Sequence, residues 1–289
     1  MRDINILTNS GVNVQKALEV FGTMDKYDTT LEAFSRTIGG NVEKLKSYKE
    51  TTNMPQYAVV VHSIKSEARY FGFTTLEQLA YNHEIESKNN NVSFIFEHFD
   101  ELNNEISKII DIVTRYLDKN ESQAVNVQAT VNKTEPKESF FQKIKNSFKK
   151  KEVSTPPTVE SQKDKAIIVV DDSDSIREFI NTILGSIYEI VSVNDGTEAV
   201  NFIERNPNKK IIGMLLDLNM PGLDGFSVLE YLREKGFLDK LPVCVITGTE
   251  SKEAEEYAFK YKIMGMLKKP FNEESLKEQV AKFMTYNKE

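Results

Sequence analysis

The sequence has one cysteine, no tryptophan and three histidines in 289 residues. A single cysteine excludes both an internal disulfide and a metal centre built from several cysteines. Cys244 lies within an apolar, strand-like run, so we expect it to be a core residue. No apolar run approaches the ~18 residues of a membrane-spanning helix, and the N-terminus lacks the apolar core of a signal peptide. The cytoplasm is therefore the expected location.

The charge balance disfavours one class of partner. The formal net charge is −7, which argues against nonspecific binding of nucleic acid by the whole chain. Hydrophobic residues make up 39% of the sequence and charged residues 28%, as in globular modules joined by a polar linker. The length suffices for two domains of ordinary size. We expect a helical domain at residues 1–118, a flexible linker at 119–164 and a second domain at 165–289.

Helical periodicity dominates residues 1–118, where strand-like runs and glycines are few. This pattern predicts an all-α helical bundle. The predicted helices are Val14–Met24, Thr30–Ile38, Asn41–Thr51, Pro55–Phe71, Leu76–Ser87 and Val92–Leu117.

The fourth of these helices carries a histidine on its polar side. An apolar stripe at helical spacing runs through Tyr57, Val61, Ile64, Ala68 and Phe71. His62 falls on the opposite face, so we expect it to face solvent. Ala58 and Ser66 are small and would leave its imidazole open to a docking surface. Lys65 and Arg69 would place positive charge beside it, as a phosphoryl group requires.

The linker contains a basic amphipathic segment. Residues 137–152 include six lysines and two glutamates, and the segment at 138–152 would place its aromatic residues on one helical face. Three interpretations stay open: a helix that docks on one of the two domains, a helix that binds a partner or a membrane surface, or an unstructured spacer. Polar stretches on both sides predict that the two domains can reorient.

Residues 165–289 alternate apolar, strand-like runs with helical windows. Strict alternation predicts an α/β doubly wound, five-stranded parallel sheet. The predicted strands are Ala166–Val170, Tyr188–Val193, Ile211–Leu216, Leu241–Ile246 and Met264–Leu267. The predicted helices are Ser175–Leu184, Thr197–Arg205, Phe226–Lys235, Lys252–Tyr261 and Glu273–Tyr286.

Reactive side chains stand where these strands end. Asp171 and Asp172 follow the first strand, and Asp217 follows the third. Thr247 follows the fourth strand, and Lys269 comes just after the fifth. Three carboxylates at one sheet edge repel one another unless a cation lies among them, and all-oxygen ligation favours Mg²⁺. Such a metal would neutralise phosphate oxygens and allow a carboxylate to attack phosphorus.

These positions resemble response-regulator receiver domains. The matching segments are Val169-Val170-Asp171-Asp172-Ser173, Asp217-Leu218-Asn219-Met220-Pro221-Gly222-Leu223-Asp224-Gly225, Ile246-Thr247-Gly248 and Lys268-Lys269-Pro270-Phe271. The resemblance implies a flavodoxin-like fold in which Asp217 accepts the phosphoryl group. It also implies that Asp171, Asp172 and Asp217 bind Mg²⁺, with the main-chain carbonyl of Asn219 as a further ligand.

The same resemblance gives roles to two more residues. Thr247 is the switch hydroxyl and Lys269 the essential lysine before Pro270. The sequence departs from the family at Met266, because the second switch position usually holds Tyr or Phe. The usual aromatic swing cannot occur with methionine, which favours a phosphoryl carrier over a module that drives an effector by changing shape.

The segment from His62 to Gly72 is similar to the signature of histidine phosphotransfer (HPt) domains. That signature has a lysine three residues after the histidine, a small residue at the fourth position, an alanine near the sixth and a glycine at the tenth. Ser66 stands where the family usually has glycine. The resemblance implies that His62 is a phosphoacceptor and that Lys65 supports its phosphate.

Together the two resemblances imply a two-component phosphorelay protein that carries phosphoryl groups on His62 and Asp217. It would be a phosphoryl carrier whose receiver catalyses its own phosphorylation and dephosphorylation, rather than a metabolic enzyme. Because no segment is available to form a nucleotide-binding kinase domain, the phosphoryl group would come from a sensor histidine kinase or from another receiver or phosphotransfer protein. Without a DNA-binding segment after the receiver, direct transcriptional control is not expected.

Two alternatives stay open. Phosphorylation of Asp217 could switch the binding of a partner protein, with the bundle as a phosphate sink or scaffold. The bundle could instead modulate a receiver as a phosphatase does, with His62 dispensable. His83 and His98 lack the neighbours of His62, and we interpret both as ordinary helix residues.

Overall fold

The structure is a computed structural model that describes residues 2–118, 162–248, 256 and 258–286. The predicted basic segment at 138–152 lies outside these residues, as does most of the predicted helix Lys252–Tyr261. The N-terminal module is all-α, as predicted. Its helices are α1 (Asn5–Thr8), α2 (Val14–Phe21), α3 (Met24–Glu50), α4 (Met54–Phe71), α5 (Thr74–Lys88) and α6 (Val92–Asp118). None of the described helices is long and apolar enough to cross a membrane.

Helix α3 corrects the predicted break between Thr30–Ile38 and Asn41–Thr51. It runs without interruption for 27 residues. Gly39 and Gly40 each cost about 1 kcal/mol relative to alanine in a helix, and that cost suggested a boundary. Both glycines are exposed, while Ile38 before them and Leu45 after them are buried in the core. Tertiary packing therefore outweighs the local preference.

Helix α4 has clear signals at both ends. The side chain of Asn53 accepts a hydrogen bond from the backbone N–H of Gln56, and Pro55 occupies the first turn. Gly72 ends the helix in the left-handed conformation, with φ of +75°. The predicted apolar stripe through Tyr57, Val61, Ile64, Ala68 and Phe71 is buried throughout, which confirms that prediction.

The C-terminal module is a five-stranded, all-parallel sheet with strand order β2-β1-β3-β4-β5. The strands are β1 (Gln162–Val170), β2 (Tyr188–Val193), β3 (Ile211–Asp217), β4 (Val243–Thr247) and β5 (Gly265–Lys268). The helices are α7 (Asp174–Leu184), α8 (Gly196–Arg205), α9 (Gly225–Glu234) and α10 (Glu273–Tyr286). The predicted α/β doubly wound fold is confirmed, although β1 begins four residues before the predicted Ala166.

Alternate residues of the strands face two separate cores. Ile168 and Met214 belong to a core on one face of the sheet, together with α8 and α9. Ile167 and Leu215 face the other side, where the core is continuous with that of the helical module. Cys244 lies in this second core, as predicted, and burial raises the pKa of its thiol to about 12. The two modules are therefore packed together, which the sequence did not predict.

Gly72 is a position where glycine is required by the backbone. A Cβ at this residue would lie 2.3 Å from the carbonyl oxygen of Asn13. Asn13 is also the N-terminal cap of helix α2. We predict that Gly72→Ala lowers the free energy of unfolding of the helical module by about 2 kcal/mol or more, through the left-handed φ and the backbone clash. Urea unfolding followed by far-UV circular dichroism measures this change.

The matched control is Gly39→Ala. A Cβ at Gly39 meets no atom within 4 Å, and the residue lies inside a helix. This substitution should stabilise the module by about 0.5–1 kcal/mol. Equal effects of the two substitutions would contradict the assigned conformation of Gly72.

Candidate functional site

The carboxyl ends of the strands bring five predicted residues of the second domain together: Asp171, Asp172, Asp217, Thr247 and Lys269. Asp217 ends β3, Thr247 ends β4, and Asp171 directly follows β1. These three residues are fully buried or nearly so, and Lys269 beyond β5 is 6% exposed. Met266, at the predicted switch position, is half-buried against the core on the far face of the sheet.

Lys269 neutralises the buried carboxylates. Its Nζ lies 2.5 Å from Asp217 Oδ2 and 2.8 Å from Asp171 Oδ2. Burial alone would lower the pKa of Lys269, but the charges of Asp171 and Asp217 outweigh this effect and raise that pKa well above its ordinary value. The lysine therefore stays charged, and its ammonium can pair with negative charge that develops at Asp217.

The acidic cluster fits the predicted magnesium ion by the chemistry of its donors. Carboxylate oxygens of Asp171, Asp172 and Asp217 all lie within 4.8 Å of one another. The pKa of the half-buried Asp172 is raised well above its ordinary value. Removal from solvent is the largest cause, and repulsion from Asp171 and Asp217 adds to it. Asn219 donates its backbone N–H to Asp217 Oδ1 at 3.0 Å. The ligand role of its carbonyl stays a prediction.

The prediction that His62 faces solvent is wrong. The residue is on the predicted side of helix α4, but it is only 4% exposed because the second domain covers that side. A Cβ at Gly248, next to Thr247, would lie 3.5 Å from His62 Nε2. His62 and Asn219 line the same cavity of about 400 Å³. The imidazole therefore lies at the edge of the sheet that holds Asp217.

Glu84 of helix α5 orients His62. Its Oε1 lies 2.7 Å from His62 Nδ1, and its Oε2 lies 2.6 Å from the ammonium of Lys65. Lys88 also donates to Glu84 Oε1 at 2.6 Å. Burial would raise the pKa of Glu84, but these partners outweigh it and hold that pKa well below its usual range. The sequence analysis did not predict Glu84. It predicted that Lys65 lies near His62, but not that Lys65 pairs with Glu84.

His62 Nε2 has no hydrogen-bond partner within the described part of the chain and is buried. The ionised Glu84 can only accept a hydrogen bond, so Nδ1 carries the proton that it receives. In the neutral imidazole the lone pair is then on Nε2, on the side of Gly248. This arrangement presents a nucleophilic nitrogen to the sheet edge.

Aromatic packing holds the two modules together beside this site. The rings of Phe21 and Phe179 are 4.9 Å apart, and those of Tyr70 and Phe271 are 5.7 Å apart. The backbone N–H of Phe271 donates to the hydroxyl of Tyr70 at 3.1 Å. Each such ring pair contributes about 0.5–1.5 kcal/mol beyond its buried area. Phe271 follows Pro270, so this contact lies two residues from Lys269.

A second polar contact between the modules comes from Glu67, which sequence analysis also missed. Its Oε1 accepts hydrogen bonds from the hydroxyls of Ser173 at 2.7 Å and Ser175 at 3.0 Å. Burial raises the pKa of Glu67 to about 7, although both serine hydroxyls oppose the shift. Glu67 lies five residues after His62, on the face that the second domain covers.

The two other histidines lie away from the sheet edge. His98 is 45% exposed on α6, near Glu101. His83 is buried on α5, with Nδ1 2.8 Å from the hydroxyl of Tyr57. Burial lowers the pKa of His83 to about 4. It therefore belongs to the core of the bundle as a neutral residue.

Comparison with known proteins identifies the second domain. Residues 167–281 match the family model described as the response regulator receiver domain. Over 129 residues, 44% of the chain, the sequence is 32% identical to the sensor histidine kinase RcsC of Salmonella typhi and covers 13% of that protein. It is also 32% identical over 121 residues to the probable transcriptional regulator ycf27 of Porphyridium aerugineum, and covers 47% of it.

A structure of the Vibrio cholerae chemotaxis protein CheY4 matches 41% of this chain and 98% of its own, with 28% identity and a TM-score of 0.38. The matched residues 167–281 include most of the sheet and the residues at its carboxyl edge. The C-terminal module is a response regulator receiver domain, homologous to those of two-component signalling proteins.

His83 gives the helical module a predictable dependence on pH. Its pKa of about 4 in the folded state is below the unfolded value of about 6.5, so the unfolded state binds more protons between these two values. The contribution of His83 to stability is therefore complete above pH ~6.5 and falls as the pH is lowered toward 4. We predict a loss of up to about 3 kcal/mol, measured by urea unfolding across this range.

The control is His83→Gln, which has no titrating group at this position. It should unfold more readily at pH 7 but lose less stability between pH 6.5 and 4 than the unmodified chain. An unchanged slope in this variant would assign the acid sensitivity to other groups.

Proposed function

We propose that the chain is a two-component phosphorelay protein in which the helical module is a histidine phosphotransfer domain. Phosphoryl groups pass between His62 and Asp217 while the two modules are docked. The chain is then a phosphoryl carrier whose receiver supports its own phosphorylation and dephosphorylation, rather than a metabolic enzyme. Sensor histidine kinases and other receiver or phosphotransfer proteins are its expected partners.

The observation that carries this proposal is the placement of His62 Nε2. The atom is buried, has no hydrogen-bond partner in the described structure and lies against Gly248 at the receiver edge. Packing within the helical bundle alone does not explain why this histidine lies at the carboxyl edge of the receiver sheet. Glu84 adds a second requirement of the chemistry, because it fixes the ring and leaves Nε2 as the reactive nitrogen.

The exchange balances without any further reactant. When Asp217 carries the phosphoryl group, Nε2 attacks phosphorus, the bond between phosphorus and the aspartyl oxygen breaks, and the electron pair returns to the Asp217 carboxylate. In the reverse direction the carboxylate attacks and the pair returns to Nε2. The Nδ1 proton stays on the ring in both directions, and Glu84 stabilises the positive charge of the phosphorylated imidazole.

The residues of the receiver edge support the transfer from the other side. A magnesium ion held by Asp171, Asp172 and Asp217 would supply neutralisation of phosphate oxygens. Lys269 is already within 2.5 Å of the Asp217 carboxylate, so it can stabilise that group both as leaving group and as nucleophile. Thr247, at the end of β4, is the expected hydrogen-bond donor to a phosphoryl oxygen. Burial of the site excludes water that would hydrolyse the phosphoryl group.

The proposal is tested by a phosphotransfer assay on the full chain. Acetyl phosphate with Mg²⁺ should charge Asp217, and base-stable phosphate should then appear on His62. His62→Gln and Asp217→Asn should each abolish the base-stable signal, while His62→Gln keeps the acid-stable aspartyl phosphate. A chain that accumulates aspartyl phosphate and never forms phosphohistidine would contradict internal exchange from Asp217.

The role of Glu84 gives a separate prediction. Glu84→Gln removes the negative charge that orients and stabilises the His62 ring, and we expect the rate of transfer to fall about tenfold or more. Rapid-quench measurement of phosphohistidine formation reports this rate. Glu86→Gln is the matched control, because Glu86 lies on the same helix and its carboxylate accepts a hydrogen bond from the side chain of Asn91 at 2.7 Å. A similar rate loss in both variants would remove the specific role of Glu84.

A further inference from the structure

Glu67 is a carboxylate that the helical module brings to the receiver. It is 1% exposed, and its Oε1 accepts both hydroxyl hydrogen bonds from Ser173 and Ser175. Ser173 also begins helix α7, since its hydroxyl accepts from the backbone N–H of Ile176. Glu67 therefore adds negative charge at the N-terminus of α7, where the helix dipole favours it. This contact explains how one oxygen of the carboxylate is stabilised.

The other oxygen is not explained by the contacts of the described residues. Glu67 Oε2 is buried and has no hydrogen-bond partner among them. It belongs to a side chain that lines a cavity of about 540 Å³ between the modules, and Asp172 lines the same cavity. A buried carboxylate oxygen without a partner is unfavourable unless a cation or a proton compensates it.

Docking therefore increases the negative charge at the receiver edge. Three carboxylates already lie close together there, those of Asp171, Asp172 and Asp217. The ammonium of Lys269 forms ion pairs with Asp171 and Asp217. Electrostatic repulsion between Glu67 and Asp171 is among the influences that raise the pKa of Glu67. A fourth carboxylate costs free energy in the absence of a cation, and the same carboxylate strengthens the attraction for a cation when one is present.

Two cationic side chains of the helical module also line the cavity. Arg36 and Lys44 extend from α3, and they stand against four carboxylates in the lining, those of Glu67, Asp172, Asp174 and Asp195. Asp174 is already paired with Arg177. By formal charge, the other three carboxylates still outnumber the two cations in the lining.

We infer that Glu67 couples the docking of the helical module to the binding of a divalent cation at Asp171, Asp172 and Asp217. The cation strengthens docking, and docking strengthens cation binding by the same factor, because the two equilibria are linked. This inference rests on the acidic site of the proposed function and adds a regulation to it. A receiver that has lost its cation is expected to release His62, and a loaded receiver to hold it.

The first experiment measures Mg²⁺ affinity of the full chain by titration calorimetry at pH 8, without any phosphodonor. We expect Glu67→Gln to raise the dissociation constant about fivefold or more, because the amide keeps a hydrogen-bonding oxygen but removes the charge. Glu273→Gln is the matched control. Glu273 also crosses the interface, where it pairs with Lys26, but it is not among the acids at the sheet edge. This variant should lose Mg²⁺ affinity only to the extent that it lowers docking, and by less than Glu67→Gln.

The second experiment measures docking itself. Spin labels at Glu101→Cys and Lys240→Cys, two exposed positions on different modules, report the distance between the modules by dipolar electron paramagnetic resonance. Cys244 is buried and does not compete for the label. We expect Mg²⁺ to raise the ratio of docked to undocked chain about fivefold or more over EDTA. Glu67→Gln should remove this dependence and remain at least as docked in EDTA, whereas Glu273→Gln should lower docking equally in both conditions.

The outcomes separate this inference from the proposed relay. Equal Mg²⁺ affinity in the unmodified chain and Glu67→Gln overturns the coupling, and so does a Glu67→Gln chain that undocks in EDTA. Either result leaves phosphotransfer between His62 and Asp217 intact in its own assay. An unmodified chain that binds no Mg²⁺ removes both the proposed metal site and the coupling.

Discussion

The concentration of buried negative charge at one edge of the parallel sheet constrains the rest of this structure. Asp171 and Asp217 have almost no contact with solvent, and the single ammonium of Lys269 pairs with both. Lys269 can do so only because it follows β5, while Asp171 follows β1 and Asp217 ends β3. A parallel sheet brings these three ends together without any local sequence relationship among them. The fold thus brings the carboxylates together, and the charge of Lys269 compensates their repulsion.

The helical module also contains a buried carboxylate whose charge must be compensated, although its fold is unrelated to that of the receiver. Glu84 is a buried carboxylate surrounded by His62, Lys65 and Lys88, so its charge is compensated more completely than that of Glu67. The difference has a physical consequence. A fully compensated carboxylate fixes the geometry of its neighbours, whereas one with an unpaired oxygen makes its surroundings sensitive to a cation. Under the inferred coupling, the helical module therefore holds one carboxylate that orients the histidine, Glu84, and one that responds to a cation, Glu67.

Sequence patterns predicted most of the elements and the placement of the receiver residues at one sheet edge, because both depend on local periodicity and on strand ends; the roles of those residues stay predictions. They failed for His62, because helical periodicity orients a residue relative to its own helix and cannot show that a second domain covers the polar side. They also failed for Glu84 and Glu67. Glu84 lies 22 residues from His62 along the chain, and only the packing of α5 on α4 joins them. Glu67 lies inside the segment from His62 to Gly72 that resembles the phosphotransfer signature. An acidic residue there was the signal from which its contact with the receiver could have been predicted.

Burial of His62 by the receiver places two demands on the interface that oppose each other. In the proposed relay, exclusion of water would protect a phosphoryl group between His62 and Asp217, and the aromatic contacts of Phe21 and Tyr70 with the receiver favour this closed arrangement. Exchange with any other protein requires the same face of α4 to become accessible. An interface made only of aromatic packing would respond little to the state of the site. Under the inferred coupling, Glu67 makes part of the interface energy depend on the charge at the acidic edge, so the chemistry of the receiver would influence when the histidine is exposed.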